Sequence, residues 1–66
     1  MQIHAYTKPE LDRFRELCNF TEEEMTYFDM KSKRKSHLEI SMAMNISVSK
    51  VSLLSASVKR KMLKVS

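Results

Sequence analysis

Four times along the chain a residue able to cap a helix precedes a run in which apolar side chains recur every three or four positions. Thr7-Lys8-Pro9-Glu10 is the first such signature. In a capping box of this kind the hydroxyl accepts from the third helical N–H, and the acid reaches back to the N–H of the cap. Tyr6 and Leu11 flank it as a staple pair, and Pro9 falls in the first turn, where its missing N–H costs nothing. Leu11, Phe14, Leu17 and Cys18 follow at helical spacing, and Asn19 suits a helix end. A helix over residues 8–18 is predicted. Thr21-Glu22-Glu23-Glu24, between Phe20 and Met25, opens a second helix over 22–33 that carries Tyr27, Phe28 and Met30. Its three glutamates match the positive end of the helix dipole. Ser36-His37-Leu38-Glu39 opens a third over 37–44, through Leu38, Ile40, Ser41 and Met44. Asn45 closes it, since asparagine tolerates the left-handed conformation better than most residues.

The fourth signature breaks the pattern. Ser47 can cap and Ile46 can staple against Val51, but the third helical position is Lys50 rather than an acid. A cation there is unfavourable against the dipole by a few tenths of a kcal/mol. A phosphate nearby would reverse that balance. Val51, Leu54, Val58, Met62 and Val65 then form one stripe, which predicts the longest helix, over 48–64. No segment alternates strongly enough to argue a strand. The expected fold is an all-α four-helix domain, and 66 residues leave room for that one domain, 1–66.

Composition removes several functions. There is no glycine for a phosphate loop, the lone Cys18 cannot form an internal disulfide, and no apolar run approaches the roughly 20 residues of a membrane span. Met1–Tyr6 lacks the basic and apolar regions of a secretory signal, so a cytoplasmic protein without a membrane partner is expected. His4, His37 and Cys18 stand apart from one another, whereas a zinc site draws on three or four ligands with local pairs. No metal, cofactor, small-molecule ligand or enzyme activity is expected.

Charge adds a direction. Residues 1–32 hold four basic and seven acidic side chains, a net of −3, whereas residues 33–66 hold eight basic ones against Glu39, a net of +7. Such a basic half is the footprint of a polyanion binder, or else a solvated face. A short helix, the turn Asn45-Ile46-Ser47 and a longer helix form the layout of a helix-turn-helix, whose second helix can enter the major groove. Opposite the Val51–Val58 stripe lie Ser49, Leu53, Ala56 and Arg60, flanked by Lys50, Ser52, Ser57 and Lys64. Small residues allow close approach to bases, serines exchange hydrogen bonds with them, and an outward leucine meets a thymine methyl. The candidate base contacts are therefore Ser49, Lys50, Ser52, Leu53 and Ala56. Candidate phosphate contacts are Lys35, Ser36, Ser47 and Ser57, together with Lys59, Arg60, Lys61 and Lys64. The same face also fits a homodimer contact through Leu53, Ala56 and Leu63, or plain solvent-facing filler.

Phe20-Thr21-x-x-Glu24-x-x-Tyr27-Phe28, Lys35-Ser36-x-x-Glu39-Ile40-Ser41 and Met44-Asn45-Ile46-Ser47-x-Ser49-x-Val51 resemble the helix-turn-helix shared by LuxR-type output domains and the promoter-reading C-terminal domain of sigma factors. The resemblance runs from about Phe20 to Met62 and implies a DNA-binding transcriptional regulator, bacterial or phage in character. By position, Glu24 resembles the family's helix-anchoring acid, and Glu39-Ile40 its scaffold-helix pair. Val51 and Leu54 resemble the recognition helix's core contacts; Ser49, Lys50, Ser52 and Leu53 resemble its DNA-facing positions. Arg34 and Asn45 stand where the family usually has glycine, and Ser41 where it has alanine. LuxR-type domains dimerise through one further helix, whereas here a helix is added in front, closer to the sigma arrangement. An alternative function is a sigma-like module that docks on RNA polymerase or another regulator; an apolar patch on the first two helices would favour it. His37 reads as an exposed polar residue ahead of a phosphate contact, and the acidic face of Glu16, Glu22, Glu23 and Asp29 as solvated.

Overall fold

A computed structural model of the chain describes residues 3–65; Met1, Gln2 and Ser66, the outermost positions of the expected domain, lie outside the described residues. A 3-10 turn at Ile3–Ala5 leads into α1 (Lys8–Leu17), α2 (Glu22–Ser32), α3 (His37–Met44) and α4 (Val48–Val65), with no strand among the described residues. The four helices are those read from the caps. Thr7 with Glu10, Thr21 with Glu24 and Ser36 with Glu39 form complete capping boxes. Ser47 caps α4 through its hydroxyl alone, accepting from the Lys50 N–H at 3.1 Å. Helix ends differ from expectation by one residue: α1 and α2 stop before the C-caps Cys18 and Lys33, and α4 runs on to Val65.

The two turns around α3 explain how a chain without glycine reverses direction. Arg34 adopts φ 66° and Asn45 φ 57°, the left-handed region in which glycine is the usual occupant. After α2, the Lys35 N–H donates to the Met30 carbonyl at 3.1 Å and the Arg34 N–H to Lys31 at 3.0 Å. After α3, the Ile46 N–H donates to Ser41 at 3.0 Å and the Asn45 N–H to Met42 at 3.3 Å. Both pairs satisfy helix-end carbonyls that would otherwise lack partners. Asn19 (φ 51°) ends α1 in the same conformation.

α4 is the strut of the domain. It packs along α2 and α3 and touches α1, while the 3-10 turn lies on α2. Val51, Leu54, Val58 and Met62 are buried on its inner face, as the stripe predicts, against Tyr27, Phe28 and Ile40. Cys18 joins them as a small core residue, and Ile3, not expected in the core, is almost wholly buried. The stripe on α1 is narrower than expected, because Leu17 turns to solvent. On α3, Ile40 and Ser41 face inward while Leu38 and Met42, one turn apart, face outward. Ser41 tolerates burial by donating to the Leu38 carbonyl at 2.7 Å. An aromatic chain links α1 to α2: Tyr6 meets Phe14 edge-on at 5.0 Å, and Phe14 meets Phe28 at 6.4 Å. Arg15 completes the seam, bonding Asp12 and Asp29 at 2.8 Å each and lying over the Phe28 ring.

The left-handed Arg34 carries a steric cost of about 1–2 kcal/mol that glycine would not. Arg34→Gly should therefore leave the urea midpoint unchanged or raise it, because relief of that clash offsets the greater freedom of the unfolded chain. A clear loss of stability would show that the arginine side chain makes contacts that outweigh the strain.

Candidate nucleic-acid interface

Two buried polar networks position the surfaces on either side of α4. The first centres on Glu24, which is 4% exposed. One carboxylate oxygen accepts from the Thr21 backbone N–H at 2.8 Å, closing the α2 cap. The same oxygen pairs with the Lys61 ammonium at 2.5 Å, and the other accepts from the Ser57 hydroxyl. Burial pushes the carboxyl upward, but the hydrogen bonds from Lys61, Ser57 and Thr21 outweigh it and bring its pKa from the ordinary 4.5 down to about 2. Glu24 is thus ionised at neutral pH and ties the start of α2 to the middle of α4.

The second network joins α2 and α3. The Tyr27 hydroxyl of α2 is hydrogen-bonded to Nε2 of His37, the first residue of α3, at 3.2 Å, and the two rings meet edge-on at 5.8 Å. Burial keeps the Tyr27 phenol above its ordinary value, with the buried Ser55 of α4 opposing that shift. His37 is half-buried rather than exposed as expected, and it is held below its ordinary pKa first by burial and then by Lys31 and Lys59.

These networks sort the candidate contacts. Ser49, Lys50, Ser52, Leu53 and Ala56 are all exposed on one side of α4, with Leu53 68% exposed. Lys59, Arg60 and Lys64 are exposed as well. Among the described residues, none of Lys50, Lys59, Arg60 and Lys64 has an acid within ion-pair distance. Lys35 is exposed and only loosely paired with Glu39, at 4.0 Å. The hydroxyls of Ser36 and Ser47 accept from the backbone at 3.1 Å and keep their own protons to donate outward. Ser57 and Lys61 are half-buried, and both turn to Glu24, which ties them across the interior to the start of α2. Their part was missed because 33 and 37 residues separate them from Glu24.

On α1 and α2, where an apolar patch would favour the docking alternative, the exposed large hydrophobic residue among those described is Leu17. Among the described residues, no helix is long and apolar enough to cross a membrane, and no group of three or more acidic, histidine or cysteine side chains is placed to hold a metal ion. No protein-family model, curated protein or solved structure matches the chain.

Removing one partner from a buried ion pair costs about 3 kcal/mol or more. Glu24→Gln should lower the urea unfolding free energy at pH 7 by that order. Because the Glu24 pKa is depressed in the folded state, its stabilisation is complete above the ordinary carboxylate range and fades as pH falls toward about 2. Wild type and Glu24→Gln should therefore converge in acid; a constant gap would mean that the carboxylate charge contributes nothing.

Proposed function

We propose that this chain is a small, sequence-specific DNA-binding regulator of transcription that lays α4 in the major groove. The observation that carries this reading is the outward side of α4. Its small and hydroxylated residues are exposed and bordered by cations without an ion-pair partner among the described residues, while its inner side is fixed in the core. A groove about 12 Å wide admits one helix. A rigid helix that offers Ser49, Ser52, Leu53 and Ala56 to base edges, with Lys50 beside them, has the chemistry for reading sequence. Lys35, Ser36, Ser47, Lys59, Arg60 and Lys64 border that surface and supply phosphate contacts. The α3–turn–α4 layout supports the same reading, as does the resemblance to LuxR-type and sigma-factor domains over Phe20–Met62.

Duplex titrations at several salt concentrations test the binding. If the five cations Lys35, Lys50, Lys59, Arg60 and Lys64 meet phosphates, log K should fall against log salt with a slope near −4.5. Lys59→Ala should reduce that slope by about one unit and weaken all sequences alike. No affinity for any duplex at low salt would end the DNA reading.

Specificity has its own test. A sequence selected from a random duplex library should lose about 1–3 kcal/mol of discrimination when Ser49→Ala and Leu53→Ala are combined, with the thermal unfolding midpoint unchanged. If the double variant keeps its sequence preference but loses self-association in sedimentation, the same side of α4 is a dimer surface instead.

A further inference from the structure

Three hollows run side by side where α1 meets the end of α4, and the walls they share fix their order. The middle one, a cavity of about 110 Å³ lined also by Phe14, lies between a rim of Glu10 and Arg13 and a ridge of Leu17 and Val65. The ridge also bounds a second cavity of about 200 Å³, which Lys61 and Lys64 line. The rim also bounds the third, which Asp12 and Glu16 line. The strip thus passes from an acidic end through an apolar middle to a basic end.

Most of these charges are already engaged within the domain. Asp12 pairs with Arg15 at 2.8 Å, Lys61 pairs with Glu24 at 2.5 Å, and Glu10 accepts from the Thr7 N–H at 2.9 Å. Glu16 and Lys64, one at each end, are exposed and have no ion-pair partner among the described residues. Leu17, on the ridge between them, is 48% exposed. A buried cavity of roughly 150 Å³ holds a benzene, so the middle hollow matches one aliphatic side chain.

A ridge beside a hollow, with opposite charges at the two ends, is complementary to itself. Turned about a two-fold axis through the middle hollow, a second copy brings its Leu17 over the first copy's cavity. The same turn sets the basic end of each copy against the acidic end of the other. An isologous contact has this form, each group meeting its counterpart twice. A partner of one charge sign would satisfy one end of the strip and be repelled at the other.

We propose that this strip is a homodimer interface, in which Leu17 of each copy enters the other's cavity and Glu16 of each copy pairs with Lys64 of the other. The pairing needs no DNA and stands apart from the reading of α4, although Lys64 then serves the dimer in place of a phosphate. The strip is smaller than the roughly 20–30 residues a side of a standard interface, so the dimer is weak.

Sedimentation equilibrium of the whole chain at low salt, from about 10 μM to about 1 mM, should show reversible dimerisation. Glu16→Lys and Lys64→Glu should each weaken it by about tenfold, because each sets like charges across the axis twice. The two combined restore opposite charges without altering the net charge, and should recover the wild-type dimer. Leu17→Gln should leave the circular dichroism unchanged and remove the dimer. On the wild type alone, amide NMR shifts that move with concentration should cluster at Arg13, Phe14, Leu17 and Val65. A monomer up to about 1 mM, or a dimer that the combined swap does not restore, overturns the inference. Shifts that move instead at Leu53, Ala56 and Leu63 also overturn it, since they place self-association on the outward side of α4.

Discussion

One carboxylate holds the domain in register. Glu24 closes the α2 capping box and, from the same buried position, grips Ser57 and Lys61 across the interior. A 66-residue chain has little apolar area to spend on rigidity, since a domain of about this length buries only ~60% of its unfolded surface. A charge-assisted anchor between the first turn of α2 and the middle of α4 supplies a directional constraint that apolar packing lacks. It sets the rotation of α4 about its own axis, and that rotation decides which residues point outward. With the inner side clamped at Ser57, Lys61 and the Val51–Met62 stripe, the opposite side is left to Ser49, Leu53, Ala56 and Arg60.

The surface field is a product of this internal pairing. Arg15 spends its charge on Asp12 and Asp29 within the acidic half, and Lys61 spends its own on Glu24. Among the described residues, the cations without an ion-pair partner include Lys50, Lys59, Arg60 and Lys64 on α4 and Lys31, Lys33 and Arg34 at the end of α2. The exposed positive charge is thus left mainly to α4 and to the turn between α2 and α3. Exposed positive charge of this kind attracts polyanions in general, and the attraction falls off with added salt.

What was legible in the sequence was local. Three capping boxes and the Ser47 cap announce themselves within four residues each, so helix number and order follow with ends off by a single position. The α4 stripe was legible because five apolar residues repeat over four turns. Leu17 and Leu38 were misplaced because short helices give too few repeats to fix which side faces in. Ile3 lies ahead of the first cap with no periodic neighbours, and its burial depends on a turn that only the packed α2 explains. For the candidate interface, exposure of the α4 residues followed from the stripe, whereas the pairing of Ser57 and Lys61 with Glu24 did not. Position on a helical wheel cannot show a partner on another helix. The Tyr27–His37 pair was hidden for the same reason, since ten residues and a turn lie between the two rings.

The absence of glycine has a thermal consequence. Asn19, Arg34 and Asn45 hold left-handed conformations at three successive helix junctions. A glycine at such a position is costly through the disorder it grants the unfolded chain, a cost that scales with temperature. A side-chain-bearing residue transfers that cost to crowding in the native turn, which is an energy rather than an entropy and changes little on warming. The junctions are set up to lose less of their closure free energy with heat than glycine-based turns would, at the expense of starting from a higher strain when cold.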